Sequence, residues 1–157
     1  MRRDRVWYNA TQQTAQINEY DPTSSTAKYG IADLVSVGPV WFEGFNNFPG
    51  SHWSYQVNMG KTFGEPGGLE NALEVARIVM DTVQERLESF ELGNEPELMP
   101  FFVHRPENYT LEEYIDDWKS YADAVSENVL KGNPYGLAET RFFQGFTFAG
   151  DDEEWRG

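Results

Sequence analysis

The chain has 157 residues, with 26 acidic side chains against 12 basic ones, a formal net charge of −14. A field of that sign opposes phosphate-rich partners and anionic lipid surfaces, and so argues against nucleic acid and membrane as partners. The absence of Cys excludes disulfides, thiolate catalysis and thiolate metal sites. Hydrophobic residues make up 39% and aromatics 15%, enough to build a core in a chain of about one domain's length. No apolar run approaches the roughly 18 residues of a membrane span, and the charged start at Arg2, Arg3, Asp4 and Arg5 is not followed by an apolar stretch of signal-peptide length.

In chain order, residues 1–30 are polar and poorly periodic. Val6, Trp7 and Tyr8 read as a short strand remnant, and 14–28 as a loop or hairpin-like excursion around Asp21-Pro22. Asn9-Ala10-Thr11 and Asn108-Tyr109-Thr110 are glycosylation triplets, which matter only in a secreted protein. Leu34-Val35-Ser36-Val37 leads into Gly38-Pro39. Pro39 fits the first turn of a short helix carrying Val40, Trp41, Phe45 and Phe48, and Pro49-Gly50 ends it.

The clearest strand is 53–59, with Trp53, Tyr55, Val57 and Met59 on one face and Ser54, Gln56 and Asn58 on the other. The glycines at 60, 64, 67 and 68 match neither a phosphate loop nor a dinucleotide fingerprint, so they read as turn residues and no cofactor is implied. Spacing of Leu69, Ala72, Leu73, Ala76, Val79, Met80, Val83 and Leu87 predicts an amphipathic helix over 69–87. A strand at 89–92 follows. Thr110 and Glu113 form a capping box that opens a helix over 110–130, carrying Leu111, Tyr114, Ile115, Trp118, Tyr121, Ala122, Val125 and Val129. Gly132-Asn133-Pro134 stops it, and 142–148 is a last apolar strand. The acidic run 151–154 reads as a solvated tail. His52 and His104 lack metal-ligand spacing, so no metal is expected.

Strand, helix, strand, helix, strand is the pattern of a parallel sheet with crossover helices, and both a doubly wound sheet and a barrel accommodate it. In either, chemistry gathers at the C-terminal ends of the strands. The stretch Phe90-Glu91-Leu92-Gly93-Asn94-Glu95-Pro96 ends its strand at such a place. Pro96 stiffens the corner and biases Glu95 away from the right-handed helical region, so an Asn-Glu pair is held in a fixed direction. A carboxyl group so held suits general acid–base work. Asn58 closes the preceding strand, and Thr147 and Phe148 the following one.

These residues carry a resemblance. Val37-Gly38-Pro39-Val40-Trp41-Phe42-Glu43-Gly44-Phe45, Val57-Asn58-Met59-Gly60 and Phe90-Glu91-Leu92-Gly93-Asn94-Glu95-Pro96-Glu97-Leu98 occur in the order seen in glycoside hydrolase family 79. This is the family of fungal β-glucuronidases and heparanase. Arg105-Pro106, Tyr114, Trp118, Tyr121-Ala122 and Phe143-Gln144-Gly145 extend the likeness, which runs from about Asp4 to Phe148.

The resemblance implies a (β/α)8 barrel that cleaves O-glycosidic bonds with retention, acts on a carbohydrate such as a glucuronide, and works outside the cell. It assigns Glu95 as general acid/base and Asn94 as the residue that hydrogen-bonds the sugar hydroxyl beside the reacting carbon; Asn58 is a third, substrate-binding candidate. A retaining enzyme also needs a second carboxylate about 5–5.5 Å from the first. The family's nucleophile lies several strands beyond the stretch matched here. Glu43, Glu91, Glu97 and Glu139 are the spare carboxylates, and none sits on a matching strand end. Residues 1–157 are therefore expected to be one partial catalytic domain, cut at both ends, with three to four βα units of the barrel, no second domain and no activity alone. Such a slice exposes sheet edges and should aggregate or need a partner. The rival readings are a catalytically dead carbohydrate-binding remnant, a barrel glycosidase of another family with the same Asn-Glu-Pro corner, and a small doubly wound domain in which Glu95 is structural. Arg105 or Lys61 could meet a uronate carboxylate, although solvated surface charge is the plainer reading for both.

Overall fold

The computed structural model describes residues 6–24, 27–61, 63–100, 105–139 and 142–144. Its first sheet comprises β1 (Val6–Tyr8), β2 (Gln16–Glu19) and β3 (Leu34–Val37), in the order β1-β3-β2. β1 runs parallel to β3 and β2 antiparallel to it. The excursion over 14–28, read as a loop or hairpin-like, contains a strand, β2, antiparallel to β3. Its sequence, Gln16-Ile17-Asn18-Glu19, has a single apolar residue, so no alternation betrays it; the ladder to β3 supplies its backbone bonds.

Helix α1 (Pro39–Glu43) has its proline in the first turn, as the missing N–H there costs nothing. It tightens into a 3-10 turn, Gly44–Asn47, just before Pro49. Trp41, Phe42, Phe45 and Tyr55 pack mostly edge-on, with ring centroids 5.1 to 6.4 Å apart, and tie α1 to the next strand.

That strand, β4 (Trp53–Val57), pairs in parallel with β5 (Leu87–Leu92), which pairs in parallel with β6 (Phe143–Gln144). Helix α2 (Gly68–Val83) connects β4 to β5, and α3 (Leu111–Val125) connects β5 to β6. The strand–helix alternation is therefore as expected. Tyr55, Val57, Phe90 and Leu92 are buried on the face covered by the helices, together with Ala72, Val75, Ala76, Val79, Tyr114, Tyr121 and Val125. Burying each such side chain contributes about 1.5–3 kcal/mol for the larger ones.

Two boundaries differ from the periodic reading. Gln84 takes a positive φ of 57°, which ends α2 early, and a 3-10 turn, Gln84–Arg86, delivers Leu87 into β5. Leu87, expected as the last helical contact, is the first residue of the strand. Its apolar character suits either role, so periodicity could not separate them. At the other end of β5, the capping box opens α3 as expected. Thr110 accepts from the Glu113 backbone N–H, and the Glu113 carboxylate accepts from Thr110 N–H at 2.8 Å. After Val125 the helix widens into a π turn, Ser126–Leu130, and stops at Gly132 in the left-handed region. Ile115, expected on the packed side, is exposed. Of the predicted last strand, Phe143–Gln144 is described; Thr147, Phe148 and the acidic run 151–154 lie outside the described residues.

Candidate functional site

The polar face of β4 and β5 converges on the end of β5. Register pairs Ser54 with Ser89 and Gln56 with Glu91. The two serine hydroxyls are 2.8 Å apart, and Gln56 donates to the Glu91 carboxylate at 3.2 Å. Beyond the ladder, Gly93 N–H donates to the Val57 carbonyl at 3.0 Å, and the chain then turns. Gly93 adopts φ +75°, and a Cβ there would meet Met99 and Met59 at 3.4 and 3.5 Å, ordinary contact distances. The left-handed backbone, not lack of space, is what calls for glycine at this bend.

Asn94 and Glu95 follow, both half-buried. Glu95 itself sits in the left-handed region, φ 46° and ψ 60°, one of two non-glycine residues with positive φ among those described. The expected effect of Pro96 on Glu95 is thus met: the right-handed helical basin is denied to it. Its conformation is locked from behind by a 3-10 turn, Pro96–Leu98, in which Leu98 N–H donates to the Glu95 carbonyl and Met99 N–H to that of Pro96. A non-glycine residue in this region is strained by about 1–3 kcal/mol, a cost that recurs at functional sites. The buried Tyr114 of α3 braces the strand end by donating to the Leu92 carbonyl at 3.0 Å.

Gln56 is the residue that pattern reading missed. Alternation assigns it to the polar face with Ser54 and Asn58, yet it is 9% exposed. Its Nε2 donates to Gly93 O at 2.7 Å, Asn94 Oδ1 at 3.0 Å and Glu91 Oε1 at 3.2 Å. Only strand register, which one sequence does not declare, brings these groups together.

Asn58 lies at the end of β4, next to this corner, with both ends of its amide engaged. Nδ2 donates to the Val6 carbonyl at 2.8 Å, and Oδ1 accepts from Gly60 N–H at 2.6 Å. It ties the second sheet to β1. Beside it a small cavity of about 30 Å³, room for a water, is lined by Tyr8, Trp41, Tyr55, Gln56, Asn58 and Asn71 among others.

Arg105 is not the solvated surface charge expected of it. Its side chain is fully buried and donates to the carbonyls of Met59, Gly60 and Lys61 at 2.9 to 3.2 Å, and to Asp117 of α3 at 3.3 Å. A guanidinium has the fork of donors to collect several carbonyls at once, which is why arginine occupies the position. Tyr109 donates to the same Asp117 oxygen, Phe63 N–H to the other, and Tyr121 to the Lys61 carbonyl. Burial raises both phenols, and pushes Tyr121 up to about 12; nearby Asp117 adds to each. The segment after β4 is thereby clamped to α3. Lys61 instead reaches back to the Pro66 carbonyl at 2.6 Å.

His52 is exposed on the surface, 3.2 Å from Glu88, and His104 lies outside the described residues. Among the described residues no group of three or more His, Asp or Glu side chains is arranged to hold a metal, and no helix is long and apolar enough to cross a membrane.

No family model matches the chain. A β-glucuronidase of Aspergillus niger is 28% identical over 124 residues, covering 76% of this chain and 22% of the relative. A β-glucuronidase of Neurospora crassa is 23% identical over 150 residues, covering 88% and 26%. The crystal structure of a 4-O-α-L-rhamnosyl-β-D-glucuronidase from Fusarium oxysporum superposes with a TM-score of 0.61 at 17% identity, over 82% of this chain and 26% of that one. The chain spans about a quarter of the length of the curated relatives it matches. Its sequence relates it to glycoside hydrolases, and its mixed α/β fold is shared with part of a glucuronidase.

Proposed function

We propose that this chain supplies the acid/base-bearing part of a retaining glycoside hydrolase of family 79 type, built on a (β/α)8 barrel and acting on β-glucuronides. The observation that carries the reading is the corner itself. Asn94 and Glu95 stand at the C-terminal end of the middle strand of a parallel sheet, on a backbone strained at Glu95 and braced by Tyr114 and Gln56. Strand ends of this kind are where barrel and doubly wound enzymes hold their reacting groups. Similarity to two β-glucuronidases along most of the chain favours the barrel and the sugar.

In this reading Glu95 protonates the glycosidic oxygen as the bond breaks, then takes a proton from the water that releases the sugar. Asn94 donates to the hydroxyl beside the reacting carbon, a bond that strengthens as the oxocarbenium-like transition state forms. Asn58, with its amide engaged by Val6 and Gly60, shapes the wall of the site. Among the described residues, neither β4 nor β6 ends on a carboxylate that would serve as nucleophile. The 157-residue chain by itself is therefore proposed not to turn over aryl glucuronides, and its site of action to be extracellular like that implied by the family.

The test uses a hybrid in which this chain replaces the matching stretch of the Aspergillus niger relative. Glu95→Gln is expected to lower hydrolysis of a 4-methylphenyl glucuronide by about 10²–10⁴, and to slow cleavage of a 2,4-dinitrophenyl glucuronide far less, because that leaving group departs without a proton. Equal losses on both substrates, or none, would contradict the acid/base role.

A further inference from the structure

The hydrogen bonds around Gln56 fix more than a side chain. Gly93 O is a backbone carbonyl and can only accept, so the end of Gln56 that lies 2.7 Å from it must be the amide NH2. That same nitrogen lies 3.0 Å from the Asn94 amide. Two NH2 groups cannot bond to each other, so the end of Asn94 facing Gln56 must be its carbonyl oxygen. The orientation of both amides follows from chemistry alone. Asn94 is consequently left with Nδ2, a donor of two protons, as the end turned to another partner, and no acceptor for it occurs among the described residues. The nearby Glu91 carboxylate, 3.2 Å from Gln56 Nε2, makes the alternative orientation of Gln56 worse by placing oxygen against oxygen.

We infer that Gln56 is a positioning residue: from β4 it sets Asn94 as a hydrogen-bond donor at the end of β5, and so selects a ligand that presents an acceptor oxygen there. The inference rests on the sugar-site reading above for the nature of that oxygen, a ring hydroxyl. It adds a residue to the site that carries no reacting group and touches no ligand, acting only through Asn94. Removing the Gln56 donor frees the Asn94 amide to turn. A carboxylate at position 56 would go further and attract Nδ2, so that Asn94 offered oxygen to the ligand instead.

The experiment uses the whole 157-residue chain, labelled with nitrogen-15, with the Asn94 side-chain NH2 signals assigned by their loss in Asn94→Asp. Gln56→Met keeps the length of the side chain and removes the donor; Gln56→Glu keeps the shape and reverses the polarity. Both should shift the Asn94 NH2 signals before any sugar is added, while the backbone amides of α2 and α3 stay in place. For the sugar arm, the Aspergillus niger hybrid carrying Glu95→Gln, which binds with little cleavage, should hold phenyl β-D-glucuronide about three- to tenfold more tightly than its 2-deoxy counterpart, the value of one hydrogen bond. In either variant that preference should fall to within about twofold. Unchanged Asn94 signals in both variants would overturn the inference whatever the sugars do. Shifted signals with an undiminished preference for the 2-hydroxyl would overturn it as well. Shifted signals, with neither glucuronide bound by the Aspergillus niger hybrid, would uphold the Gln56–Asn94 coupling and reject the sugar-site reading instead.

Discussion

Among single residues, Glu95 and Arg105 show two ways a charged side chain is held by its surroundings. Glu95 is held by backbone: a glycine bend before it, a proline after it, and a positive φ between. Those three features are legible in the run Gly93-Asn94-Glu95-Pro96, because each follows from the local chemistry of glycine and proline. Arg105 is held by tertiary structure, and nothing local to it signals burial. Its carbonyl partners lie about 45 residues earlier in the chain, and its carboxylate partner 12 residues later. Replacing it tests that account. Arg105→Met removes the donors and leaves the Asp117 carboxylate without its cation, held by Tyr109 and Phe63 N–H, and should cost about 3 kcal/mol or more in a urea titration of the whole chain. A loss below about 1 kcal/mol would mean that the carbonyls of Met59, Gly60 and Lys61 are served by water instead.

Among elements, the helices were readable and the strand partners were not. The apolar spacing of α2 and the capping box of α3 identify both helices, since period and cap chemistry are properties of the sequence itself. Thr110→Ala should lower stability by about 1 kcal/mol, seen as a lower midpoint in the same titration with unchanged slope. No change would place the cap bond in competition with an equally good one to solvent. What spacing could not give was register. The pairing of Gln56 with Glu91 brings a third polar group to the Asn94–Glu95 corner, and β2 forms a strand with one apolar residue because β3 offers it a ladder. Both depend on residues far away in sequence. The ambiguous Leu87, apolar in helix or strand alike, was decided by the turn at Gln84. At this scale Gly93→Ala is also informative: the left-handed bend predicts a cost of about 1–2 kcal/mol. A neutral substitution would mean that the corner relaxes without strain.

The molecule as a whole carries a large excess of acid, −14, yet among the described residues the most buried ionic group is a cation, Arg105. The phenols gathered around that clamp give it a pH dependence. Burial holds the Tyr121 phenol protonated up to about 12, against an ordinary value of 10.0, and raises Tyr109 as well. Below pH 10 the folded and unfolded chains are both protonated at these positions, and the contribution is constant. Above it, the unfolded chain releases protons first, so folding stability falls as pH climbs toward the raised values. Thermal midpoints should therefore drop between pH 10 and 12, and Tyr121→Phe should flatten that drop while lowering the midpoint at pH 7 through the lost bond to Lys61. An equally steep fall in the variant would locate the alkaline sensitivity elsewhere.

The proposal that a sugar lies across the end of β5 rests on the parallel β4-β5-β6 arrangement, the strained Glu95 and the similarity to glucuronidases. A crystal structure of the chain, joined to the remainder of a relative and bound to an uncleaved aryl glucuronide, tests it most directly. The glycosidic oxygen is expected about 2.6–3.2 Å from a Glu95 carboxyl oxygen, with the neighbouring ring hydroxyl on Asn94 Nδ2. A sugar bound away from this corner, or a Glu95 carboxyl directed away from a sugar that occupies it, would contradict the account.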